Sequence, residues 1–161
     1  MYNTITPYEV ALHEAGHLVI HAGVGKGYAD KVKIGVQSGW VENHDWSLIP
    51  NTPDPEINLR AFVASGGLAV EVIRGRDLKH QRCTQDMDIL KNWCHLLEWE
   101  IDVYIKYAVS ALERYWPLVE STAISLLMSR STAGYVGKKA CRRLIDELRI
   151  QVRQRPSDLS H

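Results

Sequence analysis

A helix that starts at Thr6 and runs through His13-Glu14-Ala15-Gly16-His17 constrains this chain more than any other feature. Thr6 suits the N-cap, Pro7 the first helical position, and Glu9 completes a capping box. The spacing predicts a helix to His21 or Ala22, closed by Gly23, Gly25 and Gly27. At about 100° per residue, His13 and His17 lie about 40° apart on one face, one turn from each other. Two imidazoles so placed can bind one tetrahedral zinc ion. Glu14 lies about 60° around from His17. It is turned away from ligation but can reach a water beside the ion, the position of the general base in a zinc hydrolase. The buried face is expected on the other side, along Leu12, Ala15, Gly16, Val19 and Gly23, with the histidines at the edge of the core.

Val32, Ile34 and Val36 alternate with polar residues and predict a strand, turned at Ser38-Gly39 into a returning strand at Trp40-Val41-Glu42. Residues 43–55 are rich in Asn, Asp and Pro and predict a loop. A helix is expected from Glu56 to Arg74 despite Gly66-Gly67, a pair that costs about 1 kcal/mol per glycine relative to alanine and marks a close helix–helix approach. From Met87 to Leu112, apolar residues recur every three or four positions and predict one long helix. Pro117 opens another helix with Val119, Ala123 and Leu126/Leu127 on its stripe, and Gly134 breaks it. A last helix carries Val136, Ala140, Leu144, Leu148 and Val152. The expected fold is mainly α (α+β), with one small N-terminal sheet and a C-terminal helical bundle. A single domain is expected over residues 1–155, with a tail at 156–161.

The chain has 161 residues, 45% hydrophobic and with a formal net charge of zero, which fits a folded domain rather than disorder or a uniformly basic nucleic-acid binder. The charge is uneven. Residues 130–161 hold eight Lys/Arg against three acids, a surplus that the upstream residues balance. A solvated helix face accounts for that surplus, and nucleic acid is not the expected partner. The three cysteines have no CxxC pairing, which fits a reducing compartment and a cytoplasmic location. The N-terminus does not read as a signal peptide. The longest apolar run, Ala61 to Val70, is short of the roughly 20 residues of a membrane span. His44, His80, His95 and His161 are expected in loops or exposed, with His44 and His80 able to approach the site, and Cys83 precedes the turn of interest. The tryptophans are expected in the core or at interfaces.

A catalytic zinc needs a third protein ligand. The metzincin extension fails at Ile20 and Gly23, and His21 lies two turns from His13, which suits a supporting or surface role better than ligation. Glu71, on the following helix, is a candidate of the thermolysin kind. The order of His13–His17, a Lys31–Gly35 strand, Gly66-Gly67-Leu68-Ala69-Val70-Glu71 and a helix opened by Thr84-Gln85-Asp86 resembles the zinc peptidase domain of FtsH-type proteases. The resemblance runs over residues 7–148 and implies a helical zincin-like peptidase domain. It implies that the third ligand is an Asp in the first turn of a later helix. The apolar residues that follow match the family pattern from Asp86 (Met87, Leu90, Trp93, Cys94, Leu97) better than from Asp88. Glu71 then matches a glutamate that supports a ligand histidine. His21 and Asp88 stay as further supporting or alternative ligands.

What the resemblance implies is a zinc metalloendopeptidase with one catalytic ion on His13, His17 and Asp86, and Glu14 as general base. Its substrate would be a peptide or unfolded protein, extended along the sheet near Trp40 and Val41 by β-augmentation. No ATPase module is expected in these residues, a departure from the family. Gly23-Val24-Gly25-Lys26-Gly27 lacks the spacing of a phosphate loop. ATP-driven threading is therefore not carried over, and the domain would act alone, as a homo-oligomer or with a separate partner protein. Two alternatives stand: a silent or regulatory zinc-binding module, and a basic-helix nucleic-acid binder with an incidental HExxH.

Overall fold

The computed structural model describes residues 5–25, 27–43, 54–79 and 83–154. Over these the protein is mainly helical with a small antiparallel sheet, as expected. The elements are α1 (Pro7–Val24), β1 (Ala29–Ile34), β2 (Gly39–Asn43), α2 (Asp54–Ile73), α3 (Thr84–Asp88), α4 (Glu98–Arg114), α5 (Trp116–Ser129), β3 (Tyr135–Val136) and α6 (Lys138–Arg153). Residues 44–53, His80 and the tail lie outside the described residues, as do Trp46, His44 and His161.

The start of α1 is the capping box. Thr6 Oγ1 accepts from the Glu9 amide at 3.2 Å and the Glu9 carboxylate accepts from the Thr6 amide at 2.9 Å. Gly25, at φ 71°, ends the helix in the left-handed conformation that favours glycine. The expectation of a one-sided α1 is corrected. Every residue from Val10 to Ala22 is buried, while Gly23 is exposed. The reason is position: α1 lies at the centre, packed by α2, α5, α6 and the sheet, so its histidine face is covered too.

The glycines of α2 do set a close approach. A Cβ on Gly16 would lie 2.5 Å from the Gly66 carbonyl oxygen, and one on Gly66 would lie 2.6 Å from that of Gly16. The two backbones therefore touch where no side chain fits.

The single long helix expected from Met87 to Leu112 is broken. A π-helical turn at Ile89–Trp93 follows α3, closed by the Cys94 amide donating to Ile89 O. His95 then takes φ 53°, and Leu97 is extended at ψ 160° before α4 begins. The Glu100 carboxylate accepts from the Leu97 amide at 2.7 Å and starts the new helix. The buried stripe stays in phase through the break, because Leu90, Cys94, Ile101, Ile105, Ala108 and Leu112 are all buried. Trp93 and Leu97 belonged to the expected stripe but are exposed, as is Trp99, which was expected in the core or at an interface.

The sheet order is β2-β1-β3, antiparallel throughout, so β2 is an edge. Lys33 pairs with Trp40 on one side and Tyr135 on the other, forming one cross-strand row. β3 was not expected: Val136, assigned to the last helix, belongs to it, and two residues are too few to show alternation. The core has two parts. One joins α1, α5, α6 and the sheet, and the smaller one lies among α2, α3 and α4. In α6 the apolar side is buried and part of the basic side is engaged within the chain. Arg149 donates to Gly27 O at 2.6 Å, and Arg142 and Arg149 both lie over the Tyr28 ring. Among the described residues no helix is long and apolar enough to cross a membrane.

Candidate metal centre

Neighbouring turns of α1 direct His13 and His17 toward α2 and α3. Their ring centroids are 5.3 Å apart. Asp86, in the first turn of α3, meets both: its Oδ2 is 2.8 Å from His13 Nε2 and 3.2 Å from His17 Nε2. All three residues are buried, and their ligand atoms lie within 4.8 Å of one another, so the group could hold a metal ion. His13 and Asp86 are 73 residues apart in sequence.

The far side of each imidazole is fixed. His13 Nδ1 is 3.1 Å from Glu71 Oε1, and His17 Nδ1 donates to Val63 O at 2.8 Å. Both partners come from α2. A hydrogen bond at Nδ1 sets the tautomer and leaves Nε2 for the centre. Glu71 therefore stands behind a histidine rather than in the ligand group. Gly67 makes the space: a Cβ there would sit 2.2 Å from His13 Nε2 and 2.6 Å from His17 Nε2. The Gly66-Gly67 pair thus serves two ends, one glycine for helix packing and its neighbour for the imidazoles.

Glu14 lies beside the group, its Oε2 3.9 Å from His17 Nε2. That oxygen is buried with no hydrogen-bond partner among the described residues. A buried carboxylate oxygen left without a partner is costly, and its position next to three potential ligands fits a site built for an ion and the water beside it. Gly39 lets the edge strand come this close, since a Cβ on it would lie 2.9 Å from Glu14 Oε1.

The electrostatics follow from this packing. Burial alone would lower the His13 imidazolium, but hydrogen bonds to Asp86 and Glu71 and the charge of Glu14 outweigh it and hold it up at about 10. Burial also works against His17, and Asp86 and Glu14 more than offset it, so its pKa is raised. Burial pushes Glu14 up to about 7, against the pull of the two histidines. Asp86 is buried too, yet His17 and His13 hold its carboxyl well below the usual carboxylate range. The ligand group is thus a proton-holding cluster that a cation could replace.

The cavity at this centre is lined by His13, Glu14, His17, Asp86, Ala64, Gln85 and Ile89, and by Gly39, Trp40, Val41 and Asn43 of β2. Trp40 and Val41 therefore border the cavity. Two expectations are corrected. Asp88 is exposed and outside the group, because two residues further along a helix turn its side chain about 200° away from that of Asp86. His21 is not in the ligand group: it is buried two turns along α1, and its Nε2 is 2.5 Å from Asn43 Oδ1. Cys83 is buried in the smaller core and is not in the ligand group either. Sequence reasoning missed Val63, whose backbone carbonyl carries no side-chain signal, and Asn43. It also missed the role of Gly67 beside the rings, although the unusual glycine pair was the available clue. Comparison of the chain with protein-family models and with curated protein sequences finds no match.

Proposed function

We propose that this protein is a zinc-dependent metallopeptidase with a domain of the FtsH-type peptidase kind. The observation that carries the reading is one cavity that joins His13, His17 and Asp86 to the partnerless carboxylate oxygen of Glu14. Two imidazole nitrogens and one carboxylate oxygen suit zinc and leave a coordination position free. When bound, zinc supplies Lewis acidity for activating water and polarising a carbonyl.

The remaining work falls to side chains. Glu14 takes the proton from the attacking water and passes it to the leaving amine. Burial favours the protonated form of Glu14, which suits a group that must both accept and release a proton. Glu71 and the Val63 carbonyl keep the imidazoles in register. The outer edge of β2, unpaired among the described residues, offers main-chain partners to an extended peptide, with Trp40 and Val41 beside it. The substrate class is a peptide or an unfolded chain. Unfolded casein tests the reading: hydrolysis should be abolished by a chelator and restored by zinc. Hydrolysis that survives complete removal of metal would refute it.

A further inference from the structure

His21 is a buried histidine that the reaction above does not use, and its contact leads back to the site. It is 2% exposed, at the end of α1 away from Glu14. Its Nε2 lies 2.5 Å from Asn43 Oδ1. An amide oxygen only accepts, so His21 Nε2 carries a proton and donates it. That bond fixes which end of the Asn43 amide faces α1, and it turns the Nδ2 end away from the histidine. Among the described residues nothing accepts from Nδ2. Asn43 nevertheless lines the same cavity as Glu14 and the ligand group.

The placement has a direction. β2 runs past the site with Gly39 against Glu14 and Asn43 against His21, so the strand spans the cavity from its catalytic end to its far end. Asn43 is also where β1 and β2 go out of regular register, with a bulge between Ala29 and Lys31. A peptide added to the β2 edge reaches Asn43 at the end of that strand, where a side-chain amide can meet one of its carbonyls.

We propose that Asn43 is a substrate-binding residue, a side-chain amide donor that the buried His21 aims at a main-chain carbonyl of the bound peptide. The inference rests on the peptidase reading. His21 acts through Asn43 and is a positioning residue. Because the recognised atom is a backbone oxygen, the site binds extended chains without selecting their side chains at this point.

The test uses a fluorescein-labelled casein peptide and the full chain carrying Glu14→Gln, so that binding is measured without cleavage. Adding Asn43→Ala should weaken binding roughly 3- to 10-fold, the worth of one neutral hydrogen bond. Metal content should not change, and the melting temperature should fall only modestly, since His21 loses its acceptor. With Glu14 intact, KM should rise by the same factor with kcat within about twofold, the pattern of lost uniform binding. His21→Leu should move KM in the same direction. If that variant fails to fold, Asn43→Ala decides alone. Peptide affinity unchanged in Asn43→Ala overturns the proposal, and so does a loss that comes with loss of metal or of fold. Wild-type chain that binds the peptide and never cleaves it refutes the peptidase reading, while the affinity of Asn43→Ala still judges this one.

Discussion

The two sides of the candidate metal centre are built in opposite ways. His13 and His17 stand on a helix of 18 residues, capped at both ends and buried on all sides from Val10 to Ala22. Asp86 stands on a helix of five residues with no side-chain cap, and a π-helical turn and a left-handed His95 follow. Local helix geometry places the two histidines. Only tertiary contact places the third: Leu90 and Cys83 pack α3 into the smaller core, and the imidazoles hold the carboxylate. A centre of this kind is half prepared by secondary structure and completed by folding. Changes on the α1 side should therefore act through shape, and changes on the α3 side through affinity.

The largest effect should come from Gly67→Ala. Its Cβ would occupy the space of both Nε2 atoms, so the variant should retain almost no metal, whereas Gly23→Ala, with nothing near its Cβ, should match the wild type. Metal analysis of the purified proteins checks both. Next comes Asp86→Asn, which should weaken metal binding by more than about 100-fold. Glu71→Gln, which disturbs only the group behind His13, should cost about 10- to 100-fold. Competition with a chromogenic chelator ranks the two, and a reversed order would mean that Glu71 rather than Asp86 is the ligand.

The fold class and the histidine side of the site were legible in the sequence because their signals are local: a capping box, a four-residue spacing and a glycine pair. Asp86 became legible only through the resemblance, since nothing in residues 84–88 says which carboxylate turns inward. The break at His95 was hidden because the apolar stripe keeps its spacing across a π-helical turn. Val63 left no signal because the working atom is its backbone oxygen. His21 and Asn43 were separated by the strand pairing that brings them together.

Proton competition should show a smaller, graded effect. At neutral pH the metal-free cluster holds protons, since His13 stands at about 10 and His17 is raised as well. Metal must displace them, so apparent affinity should rise with pH by about tenfold per unit for each proton released. Calorimetry in buffers of different ionisation enthalpy counts those protons. The sign reverses for stability. A histidine with a raised pKa in the folded state stabilises fully below its unfolded value of 6.5, and this contribution is lost as pH rises through about 10. The melting temperature of the metal-free protein should therefore fall across that window, and that of the metal-loaded protein should fall less. The smallest effect belongs to Asp88→Asn. This exposed neighbour of the ligand should change metal affinity by no more than about twofold, within the small range usual for surface substitutions.

The central claim is that one zinc ion on His13, His17 and Asp86 works with Glu14 as the proton-transferring base. Glu14→Gln tests it most directly when zinc content and casein hydrolysis are measured on the same preparation. The account predicts one zinc per chain, as in the wild type, with hydrolysis abolished. A variant that keeps its zinc and cleaves casein at the wild-type rate would contradict it.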